Sequence, residues 1–215
     1  MQDAGYLAIW SDLIADDNTD WAHWITREHA AERLGVPGFL ECRIFRALGT
    51  SANRYFILYW LERPDVVGSP DYLARLNAPT PWSQSIMPRL QNFARAGGNV
   101  VASNGTGQGG IIAALPLKAT PEWQADDVCR KLTEMDRIVA THVLATDLSQ
   151  TSIQTREKSL RGEDKSFAGL LLIEGLDEDA VRDATAQMPS LASVTDRATN
   201  LPLYRSFFGL RRHGR

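Results

Sequence analysis

Cysteine is nearly absent: Cys42 and Cys129 are the only two in 215 residues, both in apolar surroundings and without a second thiol or histidine at metal-binding spacing. That removes a disulfide scaffold and a cysteine-based metal centre, and marks the pair as buried reduced thiols. Histidine is equally sparse, four in all. There is no HExxH, no CxxC and no Gly-x-Ser-x-Gly, so no signature of zinc hydrolysis or of a nucleophile elbow is present. Neither charge sign forms a long run, and 23 basic against 26 acidic residues leave a net charge of -3. A polyanion has nothing to dock on, and nucleic acid is not expected as a partner. No apolar run approaches the ~18 residues needed to cross a bilayer, and the opening MQDAGYLAIWSDL lacks a basic start and a small-residue cleavage site. A cytoplasmic protein with no membrane partner is expected. The glycine-rich stretch at 103–110 lacks the spacing of a phosphate loop, so no nucleotide cofactor is expected.

What the chain does have is apolar bulk, 44% of its residues, enough for a sizeable core, set out in a recurring order. Residues 6–13 alternate and read as a strand, and residues 20–34 follow with helical periodicity behind an Asp-Asn-Thr-Asp capping run. Two more alternating segments, 39–48 and 54–62, flank Gly-Thr-Ser-Ala-Asn, a hairpin loop. Helical stretches at 65–76 and 82–92, broken by Pro79 and Pro81, lead to a strand within 93–102. Residues 103–110 are a linker by composition. After it the order returns as strand 111–117, helix 121–135, strands 138–146 and 167–173, helix 177–187 and strand 203–210. Sequence identity between the copies is slight beyond Trp21 or Trp24 against Trp123. The prediction is an α+β chain of two tandem βαββαβ repeats, residues 1–104 and 105–215. Such a unit makes an antiparallel four-stranded sheet with both helices on one face. Two bare faces closing on each other give a barrel with helices outside and an enclosed interior. The polar insertion at 147–165, with a short helix expected around 154–160, has two readings, a lid and a plain surface excursion. A symmetric homodimer is expected on general grounds, although closure does not require one.

The two-residue period sorts each strand into faces. Giving the most uniformly apolar sets to the helices (Leu7, Ile9 and Leu13; Leu40, Cys42 and Ile44; Phe56, Leu58 and Trp60) leaves Trp10, Asp12, Glu41, Arg43, Tyr55 and Tyr59 pointing into the barrel. His142, alone in the apolar Ala-Thr-His-Val-Leu, reads either as a satisfied core group or as the base of that cavity, and its face is unresolved. On the first helix Trp21, Trp24, Glu28, Ala31 and Gly35 form one stripe, with Ile25 beside it. A carboxylate on a buried stripe needs a partner, so Glu28 is expected to meet Arg43, the strand backbone or His29, as a tie or as catalytic machinery. Trp82, in Pro-Thr-Pro-Trp, is expected at the pocket rim or packed on the sheet.

The stretch WITREHAAERLGVPGF at 24–39, with Arg43, YFILYWLE, SPDYL and PTPW after it, resembles the dimeric α+β barrel superfamily, its EthD-like branch and tandem relatives in particular. The resemblance implies ferredoxin-like repeats and maps the branch's helix histidine onto His29, its turn onto Pro37 and Gly38, and its strand aromatic onto Tyr59. The second half departs from it, since Gln-Ala-Asp-Asp-Val-Cys-Arg offers no counterpart of His29. The superfamily includes isomerases, cofactor-free quinol monooxygenases and haem enzymes; His142 is the one candidate axial ligand, and no cofactor or metal is expected. The leading expectation is a cofactor-independent isomerase of aromatic catabolism acting on a small unsaturated or aromatic-derived carboxylic acid. His142, His29 and Tyr59 would transfer protons, and Arg43, Trp10, Trp24, Glu28, Tyr55 and Trp82 would bind the substrate. The alternatives are an EthD-like or quinol-type monooxygenase in the same cavity, and a non-catalytic binding barrel.

Overall fold

A computed structural model describes residues 4–14, 18–49, 53–119, 125–161, 164–187 and 202–212. The hairpin tip at 50–52, the expected helix start at 121–124 with Trp123, and His213 lie outside the described residues. Eight strands pair antiparallel into a closed barrel: β1 (Gly5–Leu13), β2 (Phe39–Ala47), β3 (Asn53–Leu61), β4 (Leu90–Gly105), β5 (Ile111–Leu117), β6 (Ile138–Thr146), β7 (Gly169–Gly175) and β8 (Leu203–Arg211), in the ring order β1-β3-β2-β8-β5-β7-β6-β4. The first four lie side by side as β4-β1-β3-β2 and the last four as β8-β5-β7-β6, joined at the seams β2–β8 and β4–β6. The chain is thus α+β, with helices on the outside of an antiparallel barrel.

Local chemistry sets the boundaries. Ser69 and Thr80 cap α3 (Pro70–Asn77) and α4 (Pro81–Ile86) through their side chains, each with proline at the first helical position. Asp147 and Asp177 do the same for α6 (Leu148–Thr151) and α8 (Glu178–Ala186). The helix before β2 ends at Leu34, and the chain turns into β2 at Gly38, which takes a φ of 89° and whose carbonyl accepts the Glu62 amide at 2.8 Å. A side chain at Gly38 would strike Val66. β4 is longer than the strand expected within 93–102 and takes three residues from the expected linker.

The barrel interior is filled. Tyr6, Trp10, Phe45, Phe56, Leu58, Ile112, Leu144, Leu170, Leu172 and Tyr204 form one buried cluster inside the ring, as the diameter of an eight-stranded barrel allows. Trp10 stacks on Phe56 at 4.8 Å and donates its indole N–H to the Tyr204 hydroxyl at 3.0 Å. The expected chamber is therefore plugged in its middle. The faces of β3 are also the reverse of those expected: Arg43 pairs with Leu58 and Cys42 with Tyr59 across the ladder. So Phe56, Leu58 and Trp60 face inward, while Tyr55 and Tyr59 lie under the helices. Both faces of this strand are aromatic and apolar, and alternation alone does not say which is which.

The outer face of the first half is covered by the helix spanning 18–34, by α3 and α4, and by α6 and α7 (Arg156–Arg161) of the 147–165 insertion. The insertion leaves the second half and crosses β4. The Arg95 amide donates to the Lys165 carbonyl and the Lys165 amide to the Phe93 carbonyl, each at 2.9 Å, and the Arg156 amide donates to Asn77 Oδ1 at 3.0 Å. The second half buries a smaller cluster under α5 (Ala125–Thr133) and α8. No helix among the described residues is long and apolar enough to cross a membrane. Because Phe56 is buried inside the ring, Phe56→Ala should cost about 3–5 kcal/mol, read as a lower urea midpoint at unchanged slope.

Candidate functional site

The first helix contains an extra residue. It runs as α1 (Asn18–Trp24), one π turn (Ile25–His29) and α2 (Ala30–Leu34), and the Ala30 amide bonds to the Ile25 carbonyl five residues back. Beyond that turn the buried stripe is displaced by one position, to His29, Ala30, Arg33 and Leu34. Glu28 leaves the stripe and His29 takes its place, contrary to the uniform 3.6-residue spacing. Glu28 meets neither Arg43 nor His29; it accepts a hydrogen bond of 2.6 Å from the Thr80 hydroxyl at the start of α4.

His29 opens into a pocket between this helix and the outer face of β1 and β3, walled by Trp21, Trp24, Tyr59, Tyr72 and Phe93 and roofed by Gln150, Glu157 and Arg161 of the insertion. Four buried polar atoms of its lining have no hydrogen-bond partner: His29 Nδ1, Arg33 Nη1, the Tyr59 hydroxyl and Gln150 Oε1. The Tyr59 hydroxyl lies against the Cys42 thiol, and burial holds its pKa well above the phenolic value. Burial also pushes the Cys42 thiol up to about 12. Burial, aided by the Arg33 and Arg161 charges, holds His29 well below the ordinary imidazole value, so its ring is neutral. The ring stacks 4.2 Å from Trp24, whose indole donates to Ser83 Oγ at 3.1 Å. Arg33 Nη2 binds Glu157 of α7. Burial opposes the Arg33 charge, but Glu157, Tyr72 and Glu32 outweigh it and raise its pKa. With the roof in place the free volume is about 40 Å³, room for about three waters.

A second polar cluster closes one end of the barrel. Arg43 Nη1 binds both oxygens of Glu174 at 2.8 Å, Nη2 donates to the Gly109 carbonyl at 3.1 Å, and the Gly109 amide returns to Glu174 at 2.9 Å. His142 faces inward beside this clamp, its Nδ1 2.8 Å from Ser103 Oγ, its Nε2 3.7 Å from Glu174 and its ring edge-on to Trp60 at 5.0 Å. Burial works against the Glu174 charge, yet His142 and Arg43 hold its pKa below the usual value. An open cleft of about 1280 Å³ lies outside, bordered by Glu41, Trp60, Gln108, His142 and Arg211.

Among the solved structures that match nearly the whole chain are a candidate monooxygenase of Fusobacterium nucleatum subsp. nucleatum (9% identity, 100% of this chain and 97% of that one, TM-score 0.57), an anthrone oxidase-like protein (10%, 98% and 94%, 0.58) and a candidate monooxygenase of Lactobacillus acidophilus NCFM (7%, 97% and 97%, 0.54). The likeness is one of fold. No protein-family model and no curated protein matches the sequence.

The expected site residues therefore fall into separate places. His29, Tyr59 and Trp24 meet in the helix–sheet pocket. His142 and Arg43 meet at the barrel end. Trp10 is sealed in the barrel interior. Tyr55 packs on Trp21 at 4.0 Å, outside the barrel. Trp82 donates to Asp20 at 3.0 Å and packs against the first-half core, outside the pocket lining. Sequence reasoning missed Arg33, Glu157 and Glu174. Glu174 carried a signal, a lone acid after Leu-Leu-Leu-Ile in a buried strand, which demands a cation. Arg33 carried none until the π turn is known. His142 offers no free axial ligand for haem, since both of its ring nitrogens point at protein groups.

An unfolded histidine titrates near ~6.5, and His29 in the fold lies well below that. The stabilisation from burying its neutral ring is complete above the unfolded value and is lost as pH falls toward the folded one. Thermal melts from about pH 7.5 down to about pH 5 should show a falling Tm that is flattened in His29→Gln.

Proposed function

We propose that this chain is a cofactor-independent monooxygenase for an electron-rich phenol or anthrone-type aromatic, with the helix–sheet pocket of its first half as the active site. The observation that carries this reading is the set of unpartnered buried atoms on His29, Tyr59 and Arg33, all lining one aromatic-walled pocket. Orphaned polar groups at such depth are costly, and a bound substrate would satisfy them. The full-length fold likeness to an anthrone oxidase-like protein and to two candidate monooxygenases supports the same choice.

In this mechanism neutral His29 accepts the benzylic proton of an anthrone-type substrate, a phenol entering already ionised, and the resulting electron-rich anion reduces dioxygen and forms a carbon–oxygen bond. Tyr59, kept protonated by burial, donates to the developing oxyanion. The O–O bond then breaks, so that a CH2 centre and O2 become a C=O centre and water. The barrel-end cluster takes no part. An isomerase using Arg43 to hold a carboxylate finds no support, because Glu174 already occupies that guanidinium and His142 and His29 lie in different sites. The recurrence of one strand order in both halves supports the further reading that residues 1–104 and 105–215 are tandem ferredoxin-like repeats.

Oxygen uptake on addition of anthrone, with anthraquinone absorbance appearing in step, tests the reaction. His29→Ala should lower kcat by about 10²–10⁴ and Tyr59→Phe by about 10²–10³, while His142→Ala should leave it within about twofold of the parent value, well inside those losses. Loss of turnover in His142→Ala with His29→Ala unaffected would move the site to the barrel end.

A further inference from the structure

We propose that the pocket takes its aromatic ligand as an anion, a phenolate or carboxylate held on Arg33, in exchange for the Glu157 carboxylate that occupies that guanidinium in the closed structure. This rests on the pocket being the ligand site. The roof must move for any ring to enter, since about 40 Å³ remains beneath it, and Glu157 is the roof residue that reaches the helix below.

The geometry makes Glu157 an incomplete partner. Its Oε1 binds Arg33 Nη2 alone, and Arg33 Nη1 is buried with no hydrogen bond; Glu32 Oε2 stands off at 3.8 Å. A guanidinium offers parallel N–H groups that a planar anion can take two at a time. An incoming carboxylate, or a phenolate beside the Tyr59 hydroxyl, would recover the orphaned donor. The surroundings favour negative charge: Arg33, Arg95, Lys158 and Arg161 line the pocket against the single carboxylate of Glu157, with Glu32 and Asp164 behind, on Arg33 and Arg161. The aromatic walls fix the rest of the ligand as flat and apolar.

Displacement does not strand Glu157. Arg161 lies one turn along the same short helix, with Nη1 3.7 Å from Glu157 Oε2, and it is itself anchored to Asp164 at 3.0 Å and over the Phe93 ring at 4.1 Å. The released carboxylate therefore keeps a cation. What changes is the tie between α7 and the first helix.

The probes are naphthalene-2-carboxylate and its neutral isostere, naphthalene-2-carboxamide, titrated calorimetrically into the whole chain without turnover. The carboxylate should bind at least about tenfold more tightly than the amide. Glu157→Gln should tighten the carboxylate about tenfold and leave the amide unchanged, and Arg33→Gln should erase the preference. Should Arg33→Gln fail to fold, hydrogen exchange on the unaltered protein decides. Adding the carboxylate should speed exchange in residues 148–161, and adding the amide should not. Equal binding of the two probes, no binding of either, or slower exchange over 148–161 on carboxylate binding would each overturn the proposal. A chain that passes these tests yet consumes no oxygen with any phenol keeps the anion site and loses the oxygenase; steady oxygen uptake unaffected by Glu157→Gln does the opposite.

Discussion

Closure of the eight-stranded ladder is the constraint on which everything else depends. Once β2 meets β8 and β4 meets β6, no sheet edge remains along the ring. An eight-stranded interior is then just wide enough for side chains, and here Trp10, Phe45, Phe56 and Tyr204 fill it. Chemistry is displaced to two kinds of place, the ends of the barrel and the layer between its outer face and the helices. The chain uses both, and differently. At the end, Arg43, Glu174 and Gly109 bind one another in a closed ring, which is what a structural clamp requires. In the outer layer, His29 Nδ1, Arg33 Nη1 and the Tyr59 hydroxyl have no hydrogen-bond partner.

That difference turns on one residue of helix geometry. A turn closed five residues back carries Glu28 out to Thr80 and swings His29 and Arg33 toward the sheet. π turns are thermodynamically unfavourable unless the surroundings compensate, and they gather at functional sites. Here the compensation is visible in the stacking of Trp24 on His29 and in the anchoring of Trp24 by Ser83 of α4. The same two contacts fix the imidazole against the pocket wall.

Much of this architecture was legible from alternation and turn chemistry. The element order, the helix stop at Pro37 and Gly38, and the insertion helix near 154–160 all follow from local preference, and local preference and structure agree there. The failures have physical causes. Alternation puts Tyr55 and Tyr59 on the wrong face because Phe56, Leu58 and Trp60 are equally apolar, so strand β3 has no polar side to betray it. A periodicity of 3.6 puts Glu28 on the buried stripe because it does not announce a π turn. The pairing of Arg43 with Glu174, and of Arg33 with Glu157, spans more than a hundred residues of chain, beyond the reach of any spacing rule. His29 was found through its resemblance and His142 through its isolation in an apolar strand, yet neither signal could say that they belong to different cavities.

The crossing of residues 148–161 over β4 gives the molecule a division of labour that its strand order hides. One half supplies the walls of the pocket and the other supplies its ceiling, while the second half's own helix layer is closed by alanine, leucine and valine. The second half therefore cannot be removed without taking the ceiling off the pocket that the first half walls.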